Sequence, residues 1–137
     1  MTLEAATPSP VLGLYDLPFW QSVRERKLRL QCCESCGAFR YPPGPTCHVC
    51  LSEDSNWREV SGNGTIVSNV IFRRQYLDAY PAPHEVIAVR LDEGPMMISN
   101  VAGERPGGAL IDRRVTLAYE TMPDGFVLPR FRIVDTP

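Results

Sequence analysis

The fold turns on residues 32–51, CCESCGAFRYPPGPTCHVCL. All five cysteines of the chain lie in this stretch. Cys33-Glu34-Ser35-Cys36 and Cys47-His48-Val49-Cys50 are two C-x-x-C pairs separated by ten residues. A thiolate pair at that spacing grips one ion from a single tight turn, and two such turns complete a tetrahedral site. The expected ligands are therefore Cys33, Cys36, Cys47 and Cys50. Gly37 follows the first pair, where a knuckle turn often needs positive φ. Leu51 holds the matching place after the second, which makes that turn less ideal. Pro42, Pro43, Gly44 and Pro45 favour a rigid extended loop between the pairs. A closed four-thiolate site leaves no open position for water or substrate, so its role is structural. Zinc is the expected ion, with iron as the rival that colour would reveal. Structural zinc is worth roughly 10–16 kcal/mol in comparable peptides, which supplies what so short a stretch cannot gain by burial. Cys32 is left over: either a strand residue pointing opposite to Cys33, or a redox or alternative ligand. His48 is expected to be an exposed knuckle residue rather than a replacement ligand.

On the N-terminal side, residues 1–13 are rich in Ala, Thr, Pro and Ser and read as a mobile arm. Asp16 is expected as the N-cap of a short helix, with Pro18 in its first turn. Leu17, Trp20 and Val23 repeat at helical spacing, and a basic end from Arg24 to Lys27 suits the helix dipole. Phe19 and Trp20 are adjacent and cannot both face one core. Either one packs on the metal module and the other meets a partner, or both are buried within the chain. Residues 28–31 lead into the first knuckle as a strand.

On the C-terminal side, Ser61-Gly62-Asn63-Gly64 is a turn signal. Five strand-like segments follow, at 65–73, 85–91, 96–101, 115–120 and 126–134, with period-2 patterning and turn residues between them. Five strands in so short a length fit a small closed barrel, with the OB-fold as the leading candidate and another small barrel or sandwich as its rival. The resulting division is an arm and helix at 1–27, a metal ribbon at 28–60 and a barrel at 61–137. Gly107-Gly108 lies in the 103–108 loop without the strand-to-helix context of a phosphate cradle.

The remaining composition is that of a globular chain of 137 residues, 44% hydrophobic and 22% charged. Fourteen Lys+Arg against sixteen Asp+Glu give a net charge of −2. That balance argues against a protein that coats nucleic acid. No apolar run reaches the length of a membrane helix, and residues 1–20 lack the pattern of a secretory signal. The expected compartment is the cytoplasm. The odd cysteine count argues against a disulfide framework. His48 and His84 are the only imidazoles. A couple of His84 with Asp78 or Glu85 is conceivable, but no nucleophile elbow, Walker loop or zinc-protease motif accompanies it. No catalytic and no cofactor-binding residue is therefore expected. Arg73, Arg74 and Tyr76 cluster at the end of the first barrel strand. They read as a nucleic-acid contact, as a contact for a coenzyme phosphate or an acidic partner, or as a solvated strand end. Arg113 and Arg114 are expected to be solvated.

The order of these parts resembles a known family. Its marks here are Phe19-Trp20, Cys33-x-x-Cys36-Gly37, Tyr41-Pro42-Pro43, Cys47-x-x-Cys50, the stretch from Trp57 to Thr65, Leu91-Asp92-Glu93-Gly94-Pro95 and Leu128-Pro129-Arg130-Phe131. The family is the acyl-CoA-associated OB-fold proteins with an N-terminal rubredoxin-like zinc ribbon. The resemblance covers roughly residues 15–133; Cys32 and Leu51 depart from the pattern without touching the four ligand positions. It implies a mainly β chain: short helix, rubredoxin-like zinc ribbon, then five-stranded OB-fold barrel. It further implies a non-catalytic accessory subunit of a thiolase-like acyl-CoA enzyme, a thiolase, retro-aldolase or acyltransferase. The setting would be bacterial acyl-CoA breakdown, such as that of aromatic compounds or steroid side chains. Acyl-CoA would be held mainly by the partner, and a hydratase is the alternative partner. Two other readings compete: a single-stranded nucleic-acid-binding OB-fold, which the charge disfavours, and an enzyme acting alone.

Overall fold

The structure, a computed structural model, describes residues 8–134. Its elements are α1 (Asp16–Arg24), β1 (Arg29–Cys33), β2 (Phe39–Arg40), β3 (Ser55–Glu59), β4 (Asn63–Phe72), β5 (His84–Leu91), β6 (Met96–Ser99), β7 (Arg114–Thr121) and β8 (Val127–Ile133).

The helix starts one residue earlier than expected. Asp16 is its first helical residue, and the N-cap is Tyr15, which makes no side-chain capping bond. The Asp16 carboxylate still suits the positive end of the dipole, and Pro18 gives up an N–H that a first turn leaves unpaired anyway. Arg26 ends the helix at φ 58°. The N–H groups of Arg26 and Lys27 donate back to the carbonyls of Val23 and Ser22 at 2.9 and 3.0 Å, a Schellman closure. The buried stripe is Phe19, Ser22 and Val23. The expected Leu17–Trp20–Val23 stripe is rotated by about one position, and Leu17 is 43% exposed. Ser22 accounts for the rotation. Its hydroxyl donates to the Phe19 carbonyl at 2.6 Å and accepts the Arg29 N–H at 3.0 Å, so this face is tied to the start of β1.

β1 is the centre of a three-stranded antiparallel sheet in the order β2-β1-β3. Gln31 stands opposite Arg40 on one side and Trp57 on the other. The Gln31 side chain accepts the Gly44 N–H at 2.8 Å, which anchors the proline-rich loop.

The C-terminal part is a five-stranded antiparallel sheet in the order β6-β5-β4-β7-β8. It curls into a half-barrel rather than a continuously laddered closed barrel. Its two ends meet at a parallel bridge between Val101 and Phe131, where Ala102 donates to the Phe131 carbonyl at 2.7 Å. A bulge between Ile66 and Ser68 bends β4; an extra residue adds twist and lets one strand serve two directions of the sheet. Gly64 permits the close packing of β4 on β5: a Cβ there would lie 2.6 Å from the Arg90 carbonyl oxygen. This strand order, with its long bent first strand, is the OB-fold arrangement expected from the period-2 segments.

One core joins the parts. Phe19 and Val23 of α1, Leu28 and Leu30 of the ribbon, and Ile66, Ile87, Val89, Met97, Val115 and Phe131 of the half-barrel form a single buried cluster. The Tyr119 hydroxyl adds a polar tie by accepting the Leu28 N–H at 2.9 Å.

Candidate metal centre

Two equivalent turns build the site. Cys33 N–H donates to the Ala38 carbonyl and Gly37 N–H to the Cys33 carbonyl, at 2.8 and 2.9 Å. Cys47 N–H donates to Ser52 and Leu51 N–H to Cys47, at 2.9 and 3.0 Å. The fifth residue of each turn is left-handed: Gly37 at φ 80° and Leu51 at φ 65°. The second turn thus adopts the conformation that glycine favours, with leucine bearing the strain.

These turns bring the Sγ atoms of Cys33, Cys36, Cys47 and Cys50 within 4.8 Å of one another. Cys33 lies 3.5 Å from Cys50, and Cys36 lies 3.6 Å from Cys47. A tetrahedral zinc with Zn–S bonds of about 2.3 Å requires S···S separations of about 3.8 Å. The four cysteines are therefore positioned to bind a metal. Their local fields differ. The Cys36 N–H draws the Cys33 thiol down to about 6, against the effect of its burial. The Ala38 N–H favours the Cys36 thiolate, but burial and the crowding of Cys47, Cys50 and Cys33 push that thiol up to about 12. Backbone N–H groups lower Cys47, that of Cys50 foremost. The Ser52 N–H favours the Cys50 thiolate, but the crowding of Cys33 together with burial still raises that thiol. A divalent cation is the charge that lets all four ionise together.

Cys32 is buried, and its thiol donates to the Gly37 carbonyl at 3.4 Å. It faces Phe39 across the sheet and stands outside the thiolate cluster. His48 is exposed and also outside it. Phe19 is 2% exposed and touches Trp20 and, in the ribbon, Tyr41, with ring centroids 5.0 and 5.4 Å away. Trp20 is half-buried against Phe126 at 5.3 Å. It lines an open groove of about 450 Å³ with Leu12, Leu17, Arg24 and Asp124.

The conceivable His84 couple is not assembled. The Glu85 carboxylate is held by Arg105 at 2.6 Å and Asn69 at 3.0 Å, and Asp78 accepts from Gln75 at 3.4 Å. His84 stacks on Tyr80 with centroids 4.9 Å apart. Arg74 lies over the Tyr76 ring at 5.6 Å. Arg114, expected to be merely solvated, forms a bidentate pair with Asp92 at 2.8 Å. Sequence reasoning missed Arg40. Its guanidinium nitrogens are buried without a hydrogen-bond partner, and a lone arginine between two turns gave no sign of this. No described helix is long and apolar enough to cross a membrane.

A two-knuckle thiolate ribbon sharing its core with an OB-type half-barrel defines a class of small two-part β proteins. Residues 20–55 match the ChsH2 rubredoxin-like zinc ribbon domain, and residues 57–120 match the ChsH2 C-terminal OB-fold domain. The chain belongs to this ChsH2-type, DUF35 family of zinc-ribbon and OB-fold proteins, as its ordered motifs implied. It superposes on a chain of the Ltp2-ChsH2(DUF35) aldolase with a TM-score of 0.82 and 29% identity, covering 91% of this chain and 98% of that one. A DUF35 protein of unknown function from Sulfolobus solfataricus shares the fold at a TM-score of 0.60 and 15% identity, over 89% of this chain and 87% of that one. The chain is 32% identical over 130 residues to a probable enoyl-CoA hydratase alpha subunit of Thermomonospora curvata. It is 30% identical over 106 residues to the 3-oxo-4,17-pregnadiene-20-carboxyl-CoA hydratase alpha subunit of Mycobacterium tuberculosis. These alignments take in 94% and 77% of this chain, which spans only 40% and 34% of the length of those two relatives.

Proposed function

We propose that this chain is a non-catalytic accessory subunit that docks on, and completes or stabilises, a thiolase-like catalytic subunit of acyl-CoA breakdown. The observation that carries this reading is the near full-length superposition on the chain of a two-component assembly, the Ltp2-ChsH2 aldolase. The partner would supply the catalytic groups and hold most of the acyl-CoA. The reaction class that fits is retro-aldol cleavage or a related thiolase-type step, carried out in the cytoplasm. The names of the two longer relatives favour a second reading, in which the chain acts beside a hydratase.

In this reading Cys33, Cys36, Cys47 and Cys50 hold zinc, whose contribution is to fold and fix the ribbon. Phe19 is consumed by the chain's own core, which leaves half-buried Trp20 and its groove to meet the catalytic subunit. Half-buried aromatics of this kind commonly dominate interface energy.

Co-expression with the product of the neighbouring gene, expected to be a thiolase-like or hydratase-type subunit, tests the proposal. The expected result is a stable complex whose acyl-CoA activity depends on this chain, with about one zinc per chain that is lost in Cys36→Ser. A neighbour that is equally soluble and active without the chain would overturn the accessory role. Which substrate turns over, an aldol adduct or an enoyl-CoA, separates the two readings.

A further inference from the structure

β4 outruns its neighbour. β7 pairs with it only over Asn63, Gly64 and Thr65, and the bonds of Ile66 with Asp112 and Arg113 end that side. Beyond the bulge, β5 pairs with one edge of Ser68–Phe72. Among the described residues no strand takes the other edge. Every residue from Val70 to Asp78 is exposed. A strand lying on a core hides alternate side chains, whereas Val70, Ile71 and Phe72 are 50%, 37% and 41% exposed. The tip of the β4–β5 hairpin therefore stands clear of the half-barrel with both faces bare. Phe72, Tyr76, Leu77, Tyr80 and His84 wall a largely apolar groove of about 390 Å³ there, with Arg74 at its rim.

The two arginines at the tip lack a carboxylate among the described residues. Arg29, Arg105, Arg114 and Arg130 each bind a carboxylate of the chain at 2.6–2.9 Å. Arg73 and Arg74 have no carboxylate partner among the described residues. A second copy paired edge to edge in the symmetric register centred on Val70 would not provide one. Antiparallel pairing of two β4 edges centred on Val70 sets Arg73 and Arg74 against Val67 and Ile66. Exposed edges are normally shortened, charged throughout or covered; here a bare edge, an apolar groove and cations without a carboxylate partner coincide. Together these are the elements of recognition by strand addition, in which backbone bonds give affinity and pockets give specificity.

We propose that this hairpin tip is a second docking element for the catalytic subunit. An extended segment of that partner adds to the free edge of β4 over Ser68–Phe72. It seats an apolar side chain in the Phe72–Tyr80 groove and places carboxylates against Arg73 and Arg74. The proposal rests on the accessory-subunit reading.

Binding of the full chain to the adjacent-gene catalytic subunit is measured by calorimetry for the wild type, Leu77→Asp and the double variant Arg73→Glu/Arg74→Glu. All three sites are exposed, and circular dichroism checks the fold. Expected results are a loss of affinity of tenfold or more in both variants, a shallower salt dependence for the double variant, and slowed amide exchange within Ser68–Phe72 of the complex. Unchanged affinity and exchange, with the wild-type complex intact, overturn the hairpin proposal and leave the accessory role standing. Absence of any wild-type complex overturns both. Two further outcomes reassign the tip. A chain that is dimeric alone and monomeric as Leu77→Asp assigns it to a second copy. Salt-sensitive binding of a single-stranded oligonucleotide, lost in the double variant, assigns it to nucleic acid.

Discussion

Replacing Phe19 and Trp20 separately by alanine distinguishes a residue used inside the chain from one held at its surface. Phe19 is 2% exposed and sits where α1 meets the ribbon, with its ring against Trp20 and Tyr41. Removing a fully buried phenylalanine costs about 3–5 kcal/mol. A domain of this length is stable by about 7–20 kcal/mol, from 137 residues at about 0.05–0.15 kcal/mol each. Phe19→Ala should therefore fold but be markedly weakened. With a urea m-value of about 2 kcal/mol per molar, a loss of about 4 kcal/mol lowers the unfolding midpoint by about 2 M. Trp20 gives up less. It keeps its edge contact with Phe126 at 5.3 Å but is only half-buried, so Trp20→Ala should cost about 1–2 kcal/mol. The assay is urea unfolding followed by far-ultraviolet circular dichroism at saturating zinc, with Phe19→Leu as a milder, still apolar truncation expected to lose less than Phe19→Ala. The order should reverse for partner binding, where Trp20→Ala loses more affinity than Phe19→Leu. A stability loss for Trp20→Ala equal to or above that for Phe19→Ala would refute this division of labour.

Three further perturbations probe the frame around the site. Gly64→Ala forces a methyl to within 2.6 Å of the Arg90 carbonyl and 2.7 Å of Val89. It should destabilise the half-barrel by about 1–3 kcal/mol in thermal unfolding, and a neutral result would mean that β4 and β5 separate freely. Arg40→Met replaces a buried guanidinium that has no partner by an apolar chain of similar length. Unfolding titrations should show a gain of about 1 kcal/mol or more, and a loss would reveal a partner for the cation. The hydrogen bond from Arg105, aided by Asn69, holds the Glu85 carboxyl below the usual carboxylate range. Its folded value lies under its unfolded one, so its contribution is complete above about pH 4.5 and fades as pH falls through the lower folded value. The stability gap between wild type and Glu85→Gln should accordingly close on acidification, and a gap that widens would reverse the assignment.

The thiolate cage was legible because its cause is local. Each knuckle is set by a C-x-x-C turn and a left-handed fifth residue, and two such turns leave little freedom in where four sulfurs meet. The half-barrel was legible because alternation along a strand reports burial directly. β2 and β3 were not. β2 is two residues long, and Ser55-Asn56-Trp57-Arg58-Glu59 has no alternating apolar pattern; both become strands only because β1 offers a ladder on each side. The helix stripe was misread by one position because Leu17–Trp20–Val23 and Phe19–Val23 both satisfy helical spacing. The Ser22 bond to Arg29, a tertiary contact, decides between them. The bare edge of β4 was hidden for a related reason. A β-branched run such as Thr65–Phe72 reads alike whether a strand covers its second side or not.

A metal at the four cysteines would reach the proposed Trp20 docking surface without touching it. β1 is buried on both faces. Cys33 points to the thiolate cluster, while Leu30, three residues earlier, belongs to the common core with Phe19 and Phe131. Gln31 between them fixes the proline loop that leads to Cys47. Losing an ion held there would loosen the Cys33 end of β1, and α1 rests on β1 as well as on β8. The surface expected to fail with the ribbon is thus the Trp20 groove. The β4–β5 tip is anchored by strand pairing inside the half-barrel and should outlast it. A chelated chain that keeps the tip's exchange pattern but loses protection in α1 follows from this arrangement. It would make the bound metal a determinant of one proposed docking element and not of the other.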